Sequence, residues 1–233
     1  MENDLGILTA TAATIAFVHT VFGPDHYLPF IVLSRARGWS IFKTMWVTLL
    51  CGLAHVGSSI VVGAIGIGAG IGVSKLEGIE SYRGNIAAWA FLVFGLVYTI
   101  WGIHRAILNK PHKHFHTHTD GTIHVHEHMH LNSHDHLHKN SITPWILFII
   151  FVLGPCEPLI PVLMYPAAKN STLGIVQVSL VFSVITILTM LTLVILASYG
   201  LKMVKFGKLE RYTHALAGAT IFLSGLAILF LGL

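Results

Sequence analysis

Two pairs of residues that can bind metal ions interrupt otherwise apolar stretches of the chain. Asp25-His26 and Cys156-Glu157 each follow a Gly-Pro pair, in the related strings GPDHYLPFIVL and GPCEPLIPVLM. Carboxylate, imidazole and thiolate groups are ligands of divalent transition metals. Because an ionisable group inside an apolar stretch is costly, it usually faces a functional cavity. These four residues are therefore candidate metal ligands.

Two further histidines extend this set. His19 precedes His26 by seven residues, about two helical turns, so the two belong to one helix face up to the break. His55 lies among small residues in the string GLAHVGSS. A histidine on an apolar helix can instead be a hydrogen-bonded packing residue, and a buried cysteine can act as a small hydrophobic group. The predicted metal site comprises His19, Asp25, His26, His55, Cys156 and Glu157.

A second kind of metal signal is the density of histidine between residues 112 and 138, which holds eleven of the 16 histidines. They are His112, His114, His116, His118, His124, His126, His128, His130, His134, His136 and His138. Alternating histidines are a compositional sign of metal binding. A hairpin with a two-residue turn at Asp120-Gly121 pairs His124 with Thr117 and puts the histidine clusters on opposite faces. We therefore expect a loop that gathers around metal, with a solvated linker as the alternative.

Composition sets the class of protein around these residues. Hydrophobic residues make up 54% of the 233 residues and charged residues 10%, and the mean hydropathy is +0.74. An ordinary soluble domain has roughly 25% charged residues. This composition argues against a soluble enzyme, a nucleic-acid-binding protein and a disordered chain. The two cysteines lie in apolar segments, so no disulfide scaffold is expected.

Apolar stretches of the length that spans a bilayer, about 20 residues, predict six transmembrane helices. They lie near residues 5–33, 43–72, 85–107, 143–168, 173–200 and 211–233. The Gly-Pro strings break the first and the fourth. The predicted fold is therefore an all-α polytopic membrane protein.

The distribution of basic residues predicts the orientation of these spans. Eleven of the 14 Lys and Arg residues fall in the first, third and fifth connections, and basic residues are enriched in cytoplasmic loops. Both termini are therefore expected outside the cytosol, with the histidine-rich loop inside it.

The two halves of the chain have the same plan. An offset of 131 residues aligns the two broken segments and places Asp25 opposite Cys156 and His26 opposite Glu157. Since each half has three spans, the halves are expected to form inverted repeats, with a transport site near the breaks. The predicted units are residues 1–107, the loop 108–142 and residues 143–233. A pair of ordinary proline kinks is the alternative.

At these residues the chain resembles the nickel/cobalt transporters, within the larger group that includes the lysine exporters and the thiol-disulfide transporters of cytochrome c biogenesis. The first-helix pattern of a histidine followed by Asp-His is similar to His19 through Asp25-His26, with five residues between His19 and Asp25 where the family has four. Leu53-Ala54-His55 resembles the second-helix pattern, and the histidine-rich loop is similar to that of the efflux branch. The resemblance implies Ni²⁺ or Co²⁺ as substrate and a prokaryotic inner membrane.

The function expected from these features is secondary transport of a divalent transition metal, with export favoured over uptake. No ATP-binding loop is evident, so an ion or proton gradient is the expected driving force. No tightly bound cofactor and no enzymatic activity are expected. The metal ion and the lipid bilayer are the expected partners, a homo-oligomer is possible, and Zn, Fe and Cu stay open as substrates. The alternatives are thiol-disulfide electron transfer, in which GPCEP supplies a reactive cysteine, a metal sensor without flux, and a membrane-embedded metal-dependent hydrolase.

Overall fold

The computed structural model describes residues 2–108, 112–117, 123–128, 142–203 and 207–231. These residues form α-helices, two 3₁₀ segments and one β-hairpin. The helices are α1 (Glu2–Phe22), α2 (Leu28–Arg37), α3 (Ile41–Gly68), α4 (Val73–Leu108), α5 (Ile142–Leu153), α6 (Leu159–Ala168), α7 (Thr172–Met203) and α8 (Thr213–Leu231). The 3₁₀ segments are Pro24–His26 and Gly207–Tyr212.

Five of the described helices are long and apolar enough to cross a membrane: α1, α3, α4, α7 and α8. Two of the three shorter helices, α5 and α6, are apolar as well. Many of the large apolar side chains on the long helices are exposed, as a lipid-facing surface requires. The helical membrane-spanning architecture predicted from composition is thus confirmed.

Both predicted interruptions are present. The first separates α1 from α2 by Gly23, the 3₁₀ turn Pro24–His26 and Tyr27. The second separates α5 from α6 over residues 154–158. Proline explains both, because its ring blocks regular helical hydrogen bonding in the preceding turn and it has no N–H to donate.

The third predicted span differs from its helix in the structure. α4 begins at Val73, about a turn after α3 ends, and not near residue 85. The predicted bounds leave residues 73–84 outside the third span, whereas Glu80 and Arg83 in this range lie inside α4. The sequence window missed this because charged residues lower the mean hydropathy of the first turns. A helix can still hold charges there when they are paired.

The last helix packs unusually close to α4. A Cβ atom added to Gly218 of α8 comes 2.4 Å from the backbone nitrogen of Thr99, and one added to Gly95 of α4 comes 2.4 Å from that of Phe222. Gly102 faces Ala215 in the same way. Small residues let membrane helices approach until their backbones touch. The two helices therefore form a tight pair that supports one wall of the bundle.

The histidine-rich segment contains the strands β1 (His112–Thr117) and β2 (Ile123–His128), which pair antiparallel. The expected loop thus contains paired strands, in a register that differs from the one considered from the sequence: His112 lies opposite His128, His114 opposite His126 and His116 opposite His124. Five residues, not two, connect the strands, which shifts the pairing by one position. Among the predicted loop ligands, His118, His130, His134, His136 and His138 lie outside the described residues.

Candidate metal centre

Three histidines from three separate segments meet beside the first helix break. The ring centroids of His19 and His26 are 4.7 Å apart, and those of His26 and His55 are 5.0 Å apart. One nitrogen from each ring lies within 4.8 Å of one from each of the other two. The Nε2 atoms of all three are buried and have no hydrogen-bond partner. Among the described residues this is the one group of three or more potential ligands so close together.

The break itself positions His26. α1 ends at Phe22, and the 3₁₀ turn carries His26 to a place where it is 2% exposed. Gly23 makes this possible, because a Cβ atom there comes 2.4 Å from Nδ1 of His26. Any side chain at this position collides with the imidazole ring.

Hydrogen bonding fixes which nitrogen of His26 is free. Nδ1 lies 3.0 Å from the carbonyl oxygen of Gly23 and 3.2 Å from Oδ1 of Asp25. A carbonyl and a carboxylate only accept hydrogen bonds, so Nδ1 carries a hydrogen. In the neutral ring Nε2 then holds a lone pair. Metal-binding histidines in proteins are oriented by the same type of contact on their second nitrogen.

His55 comes from the buried face of α3. The buried residues of α3 recur at intervals of three or four, which is the period of one helix face. This face brings His55 to the second break, where a Cβ atom added to Gly154 comes 3.2 Å from Nδ1. The absence of a side chain at Gly154 therefore leaves room for the His55 ring.

His19 completes the group from the last turn of α1. It neighbours the face of α1 that packs into the bundle, where Ala12, Ala16 and Thr20 are fully buried. The Gly23 N–H donates to its carbonyl oxygen at 2.9 Å, so α1 stays regular through this turn. The extra residue between His19 and Asp25 does not prevent His19 from reaching the site.

The histidines line a cavity of about 340 Å³. The wall includes Gly84 and Asn85 in the first half of α4 and Ile228 and Leu229 at the end of α8. Phe91 and Phe151 line it as well, and Phe151 packs against Phe30 at 4.9 Å between ring centroids. The cavity is thus polar at the histidines and aromatic beside them.

The other predicted ligands occupy different positions. Asp25 pairs with His26, and its side chain is 18% exposed. Glu157 lines the same cavity but is exposed, with its carboxylate near Gly84. Cys156 is fully buried in an apolar cluster with Val56, Leu159 and other residues. Both pairs of residues at the breaks therefore lie near the site. Of these four residues, the close group of potential ligands includes only His26.

Sequence reasoning missed a buried ion pair beside this cavity. Glu80 is fully buried in α4 and pairs with Arg83 three residues later. Glu80 Oε2 also accepts from the hydroxyl of Ser59 at 2.7 Å and from the backbone N–H of Cys156 at 3.2 Å. The signal in the sequence was the Glu-x-x-Arg spacing of a helical ion pair.

The chemistry available here is reversible binding of a soft or borderline cation. Three imidazoles suit Zn, Cu, Ni or Fe when each is in the tautomer that leaves the lone pair on Nε2, as His26 is. With a fixed partner behind His26, this ring is already oriented to bind such an ion. A buried cluster without such an ion leaves three nitrogens unsatisfied, which is costly in an apolar environment.

The fold and this cluster define a polytopic helical membrane protein with a buried three-histidine site. Residues 29–227 match the family described as cytochrome C biogenesis protein transmembrane region. Because this match covers most of the chain, the protein belongs to that family. The matched range includes His55 and the second break and begins after His19 and His26. No curated protein and no solved structure matches the chain.

Proposed function

We propose that the protein is a secondary transporter of divalent transition-metal ions, with His19, His26 and His55 as the ligands of the transported ion. The observation that carries this proposal is the set of three buried Nε2 atoms without hydrogen-bond partners, close together in one cavity. A packing histidine normally satisfies its ring nitrogens with protein groups. Here three rings leave the same atom unsatisfied at the same place, which is what a cation site requires.

The helix breaks support transport over static storage. Interrupted helices in corresponding places of two inverted halves are typical of secondary transporters, whose binding sites lie at the breaks. We propose that α1–α4 and α5–α8 are these halves, each with a broken first span. Six spans of this kind have both termini on one side of the membrane, and because basic residues are enriched in cytoplasmic loops we propose that this side is outside the cytosol.

The residues that line the cavity indicate the side of the membrane from which an ion reaches the site. Its wall is built from the first half of α4 and the end of α8, while Arg35, Arg37 and Arg105 lie toward the opposite end of the bundle. We propose that the site communicates with the non-cytoplasmic side in this conformation. Phe30, Phe91 and Phe151 then close the path toward the basic, cytoplasmic end.

The histidine-rich hairpin is an accessory metal-binding segment in this scheme. Its strands carry histidines at opposing register positions, and the segment belongs to the cytoplasmic side in the proposed orientation. A segment that concentrates metal in the cytosol favours export. Ni²⁺ and Co²⁺ are the preferred substrates, driven by an ion or proton gradient across a prokaryotic inner membrane.

Metal flux into proteoliposomes tests the proposal. Wild type, His26→Ala and His104→Ala are compared with Ni, Co, Zn, Fe and Cu; His104 is a matched control because it is exposed on α4. We expect at least one metal to accumulate with wild type and His104→Ala, and His26→Ala to fall to the level of empty vesicles. Equal flux in the folded His26→Ala variant, or no flux of any metal in wild type, contradicts the proposal.

Thiol-disulfide electron transfer is the second candidate, because the family is named for cytochrome c biogenesis and Cys156 lies in the second break. This chemistry needs two thiols that can meet. Cys51 and Cys156 are both free and belong to different apolar clusters. The position aligned with Cys156 in the first half is Asp25. The residues therefore favour metal transport.

Cys156→Ser separates the two candidates. A metal transporter of the proposed kind keeps its flux in this variant, because Cys156 lies outside the close group of histidines. An electron-transfer protein loses all reduction of a disulfide probe across the vesicle membrane. Loss of metal flux in a folded Cys156→Ser protein whose wild type reduces no disulfide probe would return Cys156 to the set of metal ligands.

A further inference from the structure

The ion pair of Glu80 and Arg83 contacts the second helix break on both of its sides. Nη2 of Arg83 donates to the carbonyl oxygen of Val152 at 2.8 Å. Across the break, the backbone N–H of Cys156 donates to Oε2 of Glu80 at 3.2 Å and to Oγ of Ser59 at 3.0 Å. One charged pair on α4 thus holds the last turn of α5 and the chain leading into α6.

These contacts satisfy backbone groups that the break sets free. A helix end leaves carbonyls or N–H groups without partners, and in a membrane no water is available to replace them. The guanidinium of Arg83 donates to the freed carbonyl of Val152, and the carboxylate of Glu80 accepts from the freed N–H of Cys156. Neither charge is left alone, which a buried ion requires.

The same network reaches the metal site through α3. Arg83 donates to Oγ of Ser58 at 2.6 Å, and this hydroxyl donates to the carbonyl oxygen of His55 at 2.9 Å. Between the two anchored residues of the break lies Gly154, which borders the His55 ring. A shift of the break by a few tenths of an ångström therefore changes the space available to this ring.

We propose that Glu80 and Arg83 are positioning residues of the metal site: they hold the second break against α3, and this fixes the ring of His55 relative to His26. This inference rests on the proposed function, because it takes His55 to be a metal ligand. It gives the two breaks different tasks. The first break carries a ligand, His26, whereas the second carries none of the three and shapes the space around one.

The first break shows the contrast. Its backbone groups find partners within the segment itself: the N–H of His26 donates to Gly23 and that of Tyr27 to Pro24. The described backbone contacts of this break thus need no ion pair from another helix. An ion pair kept in the bundle only for general stability has no reason to contact both sides of the other break.

Two readouts on the purified protein in detergent test the inference. Hydrogen exchange of the amides at residues 152–154, 156 and 157 reports the position of the break without any metal. Co²⁺ titration, followed by its visible absorption, reports affinity and ligand geometry; because residues 112–138 are the same in every variant, a difference between variants reports on the three histidines. Arg83→Gln and Glu80→Gln are compared with Lys75→Gln and Glu77→Gln, which remove the same charges from exposed positions on α4. The double variant Glu80→Met/Arg83→Met tests whether apolar packing can replace the pair.

We expect faster exchange at the break and weaker Co²⁺ binding with an altered spectrum in Arg83→Gln and Glu80→Gln, by about 10- to 100-fold in affinity. The controls should match wild type, and the double variant should fold yet show the same loss of binding. Wild-type exchange in folded Arg83→Gln overturns the inference, and so does faster exchange with unchanged Co²⁺ affinity and spectrum. If neither Co²⁺ nor any other metal of the flux panel binds to wild type, the proposed function is refuted; faster exchange confined to Arg83→Gln and Glu80→Gln then still supports the anchoring of the break.

Discussion

Nδ1 of His26 lies 3.0 Å from the carbonyl oxygen of Gly23, only three residues earlier in the chain. This contact turns the free nitrogen of the ring toward His19 and His55. It exists because α1 stops at Phe22 and because Gly23 has no side chain. A local break, one glycine and one carbonyl therefore determine the orientation of the central residue of the cluster.

Gly23→Ala should weaken metal binding without unfolding the protein. The added Cβ atom meets Nδ1 of His26 at 2.4 Å, so the ring has to move away from its present place. Displacing an orienting contact of a metal-binding histidine costs about 10- to 100-fold in affinity. Co²⁺ titration of the purified variant measures this change.

Gly57→Ala is the matched control for this prediction. Gly57 lies in α3, two residues from His55, and a Cβ atom there has no neighbour within 4 Å. Its affinity for Co²⁺ should equal that of wild type. If both variants lose the same affinity, the steric explanation for Gly23 is wrong.

Deletion of residues 112–138 should reduce the number of bound metal ions and leave transport intact. The three-histidine cluster lies in the helical bundle, and none of its residues comes from the hairpin. Counting Co²⁺ per chain by elemental analysis, before and after the deletion, measures the share of the loop. Flux assays at saturating metal then show whether the bundle alone transports. Loss of all flux in a folded deletion variant contradicts the accessory role.

The sequence was sufficient for the elements with a strong local signal. Apolar stretches, the Gly-Pro pairs and the histidines at 19, 26 and 55 each depend on residue type and short spacing, and the structure has the helices, the breaks and the proximity. The start of α4 and the role of Glu80 were beyond such reasoning. Burial of an ion pair depends on which helix faces it, and this is a property of the tertiary packing.

The break residues illustrate the same limit. Cys156 and Glu157 follow Asp25 and His26 by the offset of 131 residues, so the predicted repeat suggests equivalent roles. In the structure Cys156 packs among apolar residues and Glu157 is exposed at the cavity wall. Equal spacing places residues at corresponding positions in a repeat, but the turn that follows decides where each side chain lies.

Phe151→Ala should allow metal to leak through the protein. Phe151 lines the cavity and packs on Phe30 and Phe91, at 4.9 and 6.2 Å between ring centroids, on the side that we propose is closed. Removing the ring leaves a cavity, which typically costs about 3–5 kcal/mol of stability. We expect metal to flow down its own gradient in vesicles without any coupling-ion gradient.

Leu147→Ala controls for the loss of stability, since Leu147 is fully buried in the same apolar cluster and is not among the residues lining the cavity. It should lower the unfolding temperature without producing leakage. Tight vesicles with Phe151→Ala would show that the closure lies elsewhere, whereas leakage in both variants would show that a loosened bundle is the cause.

Gly218→Ala should destabilise the protein through the pair of α4 and α8. The new Cβ atom comes 2.4 Å from the backbone nitrogen of Thr99, and backbone cannot rotate away as a side chain can. The two helices have to separate, and such overpacking costs about 1–3 kcal/mol. Thermal unfolding in detergent should show a lower midpoint than wild type.

Gly200→Ala in α7 is the control: it adds a Cβ atom with no neighbour within 4 Å and should not lower the unfolding midpoint. Since alanine favours a helix over glycine by about 1 kcal/mol, a raised midpoint in both variants would mean that the close approach of α4 and α8 does not constrain the helices.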